Sequence, residues 1–315
     1  VNSLLIAQKN AASVSDGVSA ETIKKTPDRN TGEILKRVSG ASLQEDRFAI
    51  VRGLNERYNA AYINGAPLPS SESDRKAFAF DIFPANMLDN LIIYKTATPD
   101  MPGEFAGGQI VITTKGIPAR NFQSISVGSG FNTITTFKDR KYYKSGIQGG
   151  QWEFLGIDNN RALPPLFPDI NTFKSLPVAT RSEYASLYMQ RDWSFYNKPA
   201  LPNSSFQYVF GRNIERKGKD YLGLLFSVTH SRNYTKNEGE RNFYAPDYQN
   251  AAQRVYKEEV NSSQTLFGLI GNISFKFNNN NSLSFKNLYS INADDRVRSE
   301  EHTSELQSRV DISYA

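Results

Sequence analysis

From Asn121 onward, apolar and polar side chains alternate in five long runs. A period of two is satisfied only by extended chain with two unlike faces. In the first run Gln123, Ile125, Val127 and Phe131 oppose Ser124, Ser126, Gly128 and Gly130. In the second, Phe206, Tyr208 and Phe210 oppose Gln207, Val209 and Gly211. The third sets Leu222, Leu224, Phe226 and Val228 against Gly223, Leu225, Ser227 and Thr229. The fourth sets Phe267, Leu269, Ile273, Phe275 and Phe277 against Gly268, Ile270, Asn272, Ser274 and Lys276, and the fifth Leu283, Phe285, Tyr289 and Ile291 against Ser284, Lys286 and Ser290. Each run is roughly 8–13 residues, against about 9–11 for a tilted strand that crosses a bilayer. The same alternation suits a soluble sandwich with one buried face.

The connections separate these two architectures. The link 132–204 is long, Asn213–Lys219 is short, 234–262 is long again, and Asn278–Asn281 is tight. Long–short–long–short is the rhythm of an outer-membrane barrel, with long loops outside and short turns on the periplasmic side. A sandwich has no reason to segregate its loops in this way. Tyr221, Phe277 and Tyr289 near strand ends suit interfacial girdles as well as ordinary strand positions.

Hydropathy agrees with strands rather than helices. The mean hydropathy is −0.51, and the longest near-apolar run, Tyr221 to Val228, is far short of the roughly 18 residues of a membrane helix. A barrel strand shows lipid only every second residue, so a low average is expected of it. With no cysteine in the chain, disulfides and thiolate metal sites are ruled out. The net charge is +5, yet Lys and Arg are scattered among acids with no nucleic-acid motif, which describes a solvated mixed-charge surface and no nucleic-acid partner.

The last eighteen residues read differently. Arg298-Ser-Glu-Glu-His-Thr-Ser-Glu-Leu-Gln-Ser308 resembles a translated sequencing adapter, and Ile312-Ser-Tyr-Ala315 fits its continuation. Residues 298–315 are therefore expected to be non-native, with the gene fragment ending near Val297. His230 is then the only histidine left. Neither a histidine-based triad nor a two-histidine metal site can be built, so no catalytic, metal or cofactor residue is assigned and the chain is read as no enzyme. Asp74, Asp81, Asp89, Asp100 and Glu104 are expected to be solvated or capping acids. Gly103-Glu-Phe-Ala-Gly-Gly108 is no phosphate loop, because no Lys-Ser/Thr follows it.

Residues 1–117 follow another grammar, that of a small α+β domain. Ser19 suits the cap of a helix running to Lys25, and Asn30 or Thr31 caps a second with Ile34, Leu35 and Val38 on one face and Gly40 as its stop. Phe48–Leu54 reads as a strand ending in glycine, and Ala61-Tyr-Ile-Asn-Gly65 as a strand closed by a hairpin signal. Phe83–Asn90 is expected to be a helix with Pro84 near its first position, followed by a strand over Leu91–Lys95. Last comes Pro99-Asp-Met-Pro-Gly-Glu-Phe-Ala-Gly-Gly-Gln-Ile-Val-Ile-Thr-Thr-Lys115, where glycines bunch before an alternating run.

The order Val-Arg-Gly-Leu, Ile-Asn-Gly, Phe-Pro, Ile-Ile-Tyr-Lys, Gly-Glu-Phe-Ala-Gly-Gly, Ile-Thr-Thr-Lys resembles the plug domain of TonB-dependent outer-membrane receptors. The likeness runs continuously over about residues 10–120. It implies a plug at 1–117, and at 118–297 the first five or so strands of a transmembrane antiparallel β-barrel of about 22 strands, with the plug inside its lumen. It implies TonB-dependent uptake of a scarce nutrient such as a siderophore, cobalamin, oligosaccharide or peptide. The implied partners are the outer-membrane bilayer, a surface lipoprotein, and the TonB complex through a box expected ahead of Val1. Under the resemblance Arg52, and after it Lys95, are candidates for ionic contact between plug and barrel, with the partner acids expected beyond Val297. Gly53, Gly65, Gly103, Gly107 and Gly108 are assigned to backbone geometry. The loops Ala66–Phe78 and Thr98–Phe105 are candidate ligand loops, through Arg75, Phe78, Met101 and Phe105. Gln151–Pro164 resembles a recurring segment of one receptor subfamily, and Trp152 and Trp193 in the same long loop are candidates for stacking on ligand. The competing reading is a surface adhesin or carbohydrate-binding β-protein without transport.

Overall fold

The computed structural model describes residues 6–302 apart from 7, 10–11, 29, 46, 73–74, 100, 104–105, 144–152, 157–165, 189–193, 216–220, 245–253 and 278–280. The N-terminal body starts with β1 (Ser15–Ser19), α1 (Ala20–Lys25) and α2 (Thr31–Leu35). Asn30 caps α2, its side chain accepting from the Glu33 amide at 3.0 Å. At α1, Ser19 is the capping residue by position, but its hydroxyl meets the Thr22 hydroxyl at 3.3 Å and no backbone amide. Next come β2 (Ala41–Gln44), β3 (Phe48–Val51), β4 (Ala60–Ile63) and β5 (Ala66–Pro67), then β6 (Leu88–Tyr94) and β7 (Gln109–Thr114).

β2 and β3 form a separate hairpin, and the other strands form a sheet in the order β1-β6-β7-β4-β5. β4 pairs with β7 in parallel. The expected hairpin at Asn64-Gly65 is present: both residues have positive φ, +51° and +87°, as a two-residue turn between twisted strands requires. The helix expected over Phe83–Asn90 is absent. One 3-10 turn, Ala85–Met87, follows Pro84, and β6 already begins at Leu88. The reason is burial. Leu88, Leu91 and Ile93 are all fully buried, and the sheet, with partners on both sides of β6, satisfies more backbone than one further helical turn would.

Ile34, Leu35, Phe48, Ile82, Phe83 and Met87 join those β6 residues, Ile110 and Ile112 in one core. Each such side chain is worth roughly 1.5–3 kcal/mol on burial.

The second body is a meander of β8 (Phe122–Gly130), β11 (Asn203–Glu215), β12 (Tyr221–Phe243), β13 (Arg254–Phe277) and β14 (Asn281–His302). Neighbours pair antiparallel in the order β14-β13-β12-β11-β8, and the sheet is not closed. Between β8 and β11 the first long connection has structure of its own: the hairpin of β9 (Asp139–Tyr143) with β10 (Phe195–Pro199), α3 (Ile170–Ser175) and α4 (Val178–Tyr188).

One expected boundary moves. The loop expected at 234–262 is mostly strand, since β12 and β13 stay in register from Tyr234↔Ser263 to Phe243↔Arg254. Hydrophobic alternation stops near His230, but the backbone ladder does not need it. β14 runs to His302, its ladder with β13 including Val260↔Arg298 and Glu259↔Ser299.

The five runs show their expected two faces. Gly223, Leu225, Ser227 and Thr229 of β12, and Gly268, Ile270, Asn272 and Ser274 of β13, are buried toward the N-terminal body. Ile125, Val127, Phe206, Phe226, Ile273, Leu283 and Phe285 point away and are exposed. Glycines sit where the bodies come closest. A Cβ on Gly223 would lie 2.7 Å from Ile117 Cα, and one on Gly268 would lie 3.0 Å from Ile82 Cγ2.

Candidate functional site

The seam between the two bodies gathers the buried chemistry. Its floor is apolar: Val209, Leu225, Leu266 and Ile270 of the sheet belong to the same buried cluster as the N-terminal core. Two polar nodes stand on that floor.

The upper node centres on Arg47, which is 7% exposed. Its Nη2 donates to Asn292 Oδ1 at 2.8 Å and its Nη1 to Gln264 Oε1 at 3.3 Å. Nε lies 3.4 Å from Asp81 Oδ2. Burial pushes the Asp81 carboxyl above its ordinary value, and the adjacent Arg47 charge opposes that shift without cancelling it. Asn292 uses its other end as well: Nδ2 donates to Glu72 Oε1 at 2.8 Å and to the Ser71 carbonyl at 3.3 Å. The loop carrying Ser71 and Glu72 is braced from within, because Ser70 Oγ accepts from the Ala77 amide at 3.1 Å and Ser71 Oγ from the Ala79 amide at 3.0 Å.

The lower node centres on Asn64 in the β4–β5 turn. Asn64 Oδ1 accepts from the Thr114 amide and hydroxyl, each at 3.0 Å, and from Lys286 Nζ at 2.9 Å. Asn272 Nδ2 donates to Thr114 Oγ1 at 2.9 Å. Beside it Lys115 Nζ donates to the Asn86 carbonyl, and burial lowers the Lys115 pKa.

Above the upper node, between the N-terminal body and the wall of β8, β11, β12 and β13, lies a cavity of about 780 Å³. The outer face of the sheet differs sharply. Cross-strand rungs from Ile214–Leu222–Phe275–Leu283 up to Val127–Phe206–His230–Phe267–Ile291 carry mostly apolar side chains. Gln123 and Asn287 interrupt them on the edge strands β8 and β14, and Arg212 and His230 on β11 and β12. Leu222 to His230 spans about 27 Å along the strand. With a tilt of about 40° that is roughly 20 Å of height, close to the ~25 Å apolar band of a membrane barrel. Above the band the face turns polar, at Arg232 and Thr265. There the first long connection covers it: Arg140 lies 5.1 Å from the Tyr234 ring centroid and Lys141 pairs with Glu259 at 3.0 Å.

The family model of the TonB-dependent receptor plug domain matches residues 7–109. This stretch is a TonB-dependent receptor plug domain. The match takes in every strand of the N-terminal sheet up to the first residue of β7, and the plug is followed by an open antiparallel sheet of five strands. Solved structures resemble the chain more loosely. The outer membrane transporter YddB from Escherichia coli is 14% identical with a TM-score of 0.37, over 91% of this chain and 38% of that one. The ferric citrate transporter FecA in its unliganded form is 12% identical with a TM-score of 0.40, over 98% of this chain and 52% of that one. The siderophore receptor PirA from Pseudomonas aeruginosa is 13% identical with a TM-score of 0.32, over 97% and 52%. The chain thus spans less than two thirds of these relatives, and none of them bears on what it binds. No curated protein sequence matches the chain.

The residues singled out in the sequence are dispersed. Arg52 has a positive φ of +57° and donates to the Lys95 carbonyl at 2.9 Å, a contact inside the plug. Lys95 Nζ lies 3.8 Å from Asp16, also in the plug. Among the described residues it is Arg47, five positions before Arg52, that reaches the barrel wall. Asp81, expected to be solvated or capping, is instead the buried partner of Arg47. Arg75 is engaged within the plug, 3.5 Å from Glu56, 3.7 Å from Glu45 and over the Phe48 ring. Phe78 is core, 8% exposed and stacked on Phe83 at 5.6 Å. Met101 is half-buried in its turn. Phe105, Trp152 and Trp193 lie outside the described residues.

The glycines divide by cause. Gly53 and Gly65 need their positive φ; Gly107 and Gly108 need space, since a Cβ would meet Asn59 Oδ1 at the first and Val51 Cγ1 at 2.9 Å at the second. Gly103 is exposed with nothing within 4 Å of a Cβ, so no geometric demand falls on it. Arg47 and Asn292 escaped sequence reading because a lone Arg and a lone Asn carry no spacing signal. Only the inward parity of Asn292 on β14 hinted at its role.

Proposed function

We propose that the chain is the N-terminal part of an outer-membrane receptor for TonB-dependent uptake of a scarce nutrient. The observation that carries this reading is the union of a plug domain at 7–109 with a sheet whose inner face clasps that plug and whose outer face bears an apolar band of membrane height. A soluble adhesin has no use for such a band, which would cost it solubility. The proposed division is a plug over 1–117 and barrel strands from 118 onward.

In this reading ligand arrives from the side of the first long connection and meets the loop 66–78. Its effect passes through Glu72 and Ser71 to Asn292 and Arg47. Energy coupling to TonB runs through a segment N-terminal to the plug, and the two sites are linked because both bias one plug arrangement against another. The first long connection also exposes Leu166, Ile170, Val178 and Leu187 around α3 and α4, a surface suited to a lipoprotein partner. Siderophores, cobalamin, oligosaccharides and peptides are the ligand classes this reading covers.

The test is uptake by cells expressing the full-length receptor that carries this chain, with and without TonB. Accumulation of a supplied nutrient that requires both receptor and TonB supports the reading. Surface binding that persists with uptake unchanged when TonB is deleted overturns it.

A further inference from the structure

Just above the apolar band, Arg232 of β12 and Arg140 of the first long connection converge on one ring. Their guanidinium carbons lie 5.5 Å and 5.1 Å from the centroid of the buried Tyr234. Among the described residues neither pairs with a carboxylate: Glu259, on the same outward face, is taken by Lys141 at 3.0 Å and Lys236 at 3.6 Å. Arg140 makes one long hydrogen bond, 3.5 Å to the Ser262 carbonyl, and the buried Nε of Arg232 has no partner. Burial presses the Arg140 pKa below its ordinary value; Asp295 opposes that shift and the Arg232 charge adds to it. The tyrosine ring offsets part of the repulsion between the two cations, but it supplies no acceptor for their N–H donors.

Depth places these donors. Arg232 stands two residues beyond His230, about 5 Å above the top of the band at a strand tilt of about 40°. That is headgroup level when the band spans the hydrocarbon. Below, on the same outward face, an apolar hollow of about 510 Å³ opens over Gly271, walled by Tyr208, Phe210, Leu224, Phe226 and Ile273. Gly271 pairs with Phe226, six positions before Arg232, so the hollow lies about 15 Å beneath the arginines. One leaflet is about as deep, half of the ~30 Å hydrocarbon core. Here β12 is paired with β11 and β13 alike, so this patch of wall has its neighbours on both sides.

We propose that this face seats a phosphate-bearing lipid of the outer leaflet, its phosphate between Arg140 and Arg232 and an acyl chain running down to the Gly271 hollow. The inference rests on the outer-membrane placement in the uptake reading and adds a partner to it. A phosphate offers acceptor oxygens in the geometry that a guanidinium fork matches. One arginine comes from the connection and the other from the wall, so the lipid clips the connection against the barrel.

The full-length receptor, purified in a neutral detergent, would be titrated with dioleoyl phosphatidic acid and followed by native mass spectrometry. Diolein supplies the same chains without phosphate, and inorganic phosphate supplies the anion without chains. Both should bind more weakly than phosphatidic acid. Arg140→Gln and Arg232→Gln should each weaken phosphatidic acid binding about tenfold or more, the loss of a charge-assisted hydrogen bond. Gly271→Leu, where a Cβ meets no atom within 4 Å, should weaken it with both arginines in place. Bound phosphatidic acid should also slow proteinase K cleavage of the connection in the parent and not in Arg140→Gln. Diolein or inorganic phosphate binding as tightly as phosphatidic acid, or full binding by both arginine variants, overturns the proposal. If Arg232→Gln fails to assemble by heat-modifiable mobility, Arg140→Gln carries the test, because its site is off the barrel wall. Uptake, measured separately, distinguishes the failures. Lost preference for phosphatidic acid with uptake still TonB-dependent removes the lipid site and leaves the receptor reading; TonB-independent uptake with lipid binding intact does the reverse.

Discussion

Arg47 Nη2 donates to Asn292 Oδ1 across 2.8 Å and ties together residues 245 positions apart. Asn292 holds Glu72 at 2.8 Å with its amide nitrogen, so one neutral side chain on β14 joins the Arg47 turn and the loop 66–78. The neutral amide accepts from the Arg47 guanidinium and donates to the Glu72 carboxylate, so each hydrogen bond has one charged member and is worth about 1.5–3 kcal/mol.

Arg47→Ala removes the charge facing Asp81 and two donors to the wall. Breaking a buried pair costs roughly 3–5 kcal/mol, and Arg47→Ala should lose plug stability at the lower end of that range at neutral pH. Asn292→Ala should cost roughly 1–3 kcal/mol. Urea unfolding of the two single variants and the double one closes a cycle. The two losses should fall short of additivity by more than about 0.5 kcal/mol, and strict additivity would mean that the pair does not act together.

The pH response follows from Asp81, whose carboxyl is raised above its ordinary value of 3.8 by burial. A carboxyl raised in the folded state favours folding when protonated. Its contribution is therefore fully present below about pH 3.8 and is lost as pH rises through the folded value. Asp81→Asn should flatten that part of the decline in plug stability with rising pH. In the Arg47→Ala background it should also recover stability at neutral pH. Parallel urea titrations at several pH values check both points.

Gly107→Ala places a methyl against Asn59 Oδ1 and 3.1 Å from the Val51 carbonyl. Asn59 cannot turn aside freely, because its Nδ2 donates to the Ala49 carbonyl at 2.9 Å. A loss of about 1–3 kcal/mol is expected from overpacking. Gly103→Ala, four residues earlier, should stay within about 0.5 kcal/mol of the parent. Equal effects of the two substitutions in thermal unfolding would contradict this division of the glycines.

Phe226→Arg puts a charge on the middle rung of the outward apolar band. A cost of roughly 2–4 kcal/mol is expected for arginine near a bilayer midplane, read as reduced assembly in the heat-modifiable mobility of the full-length receptor. Arg232 already stands on the same face of β12, above the band, so the penalty belongs to depth and not to the strand. Normal assembly of the Phe226→Arg variant would argue against lipid contact at this face.

Much of the fold is legible in the sequence because it rests on local rules. The caps at Asn30 and Asn64-Gly65, the period-two runs and their facing are all decided within a few residues of themselves. The reading failed where tertiary context competes with local signals. Phe83–Asn90 carries a helix-start proline, yet the buried Leu88 and Leu91 draw it into β6. The strands of the second sheet outrun their hydrophobic pattern because a ladder, once in register, continues through Thr, Asn and Glu. Of the site, the sequence offered Arg52, Arg75 and Phe78, all of which are occupied within the plug.

The sequence by itself determined the grammar of two bodies, most of their element types and which residues of each run share a face. These follow from periodicity and turn chemistry, which are properties of neighbours along the chain. Only the tertiary structure decided which arginine reaches the wall, that Asp81 is buried against it, and that Asn292 is the shared fastener. Those outcomes depend on how the chain folds back across a separation of 245 positions, and no spacing within the chain encodes them.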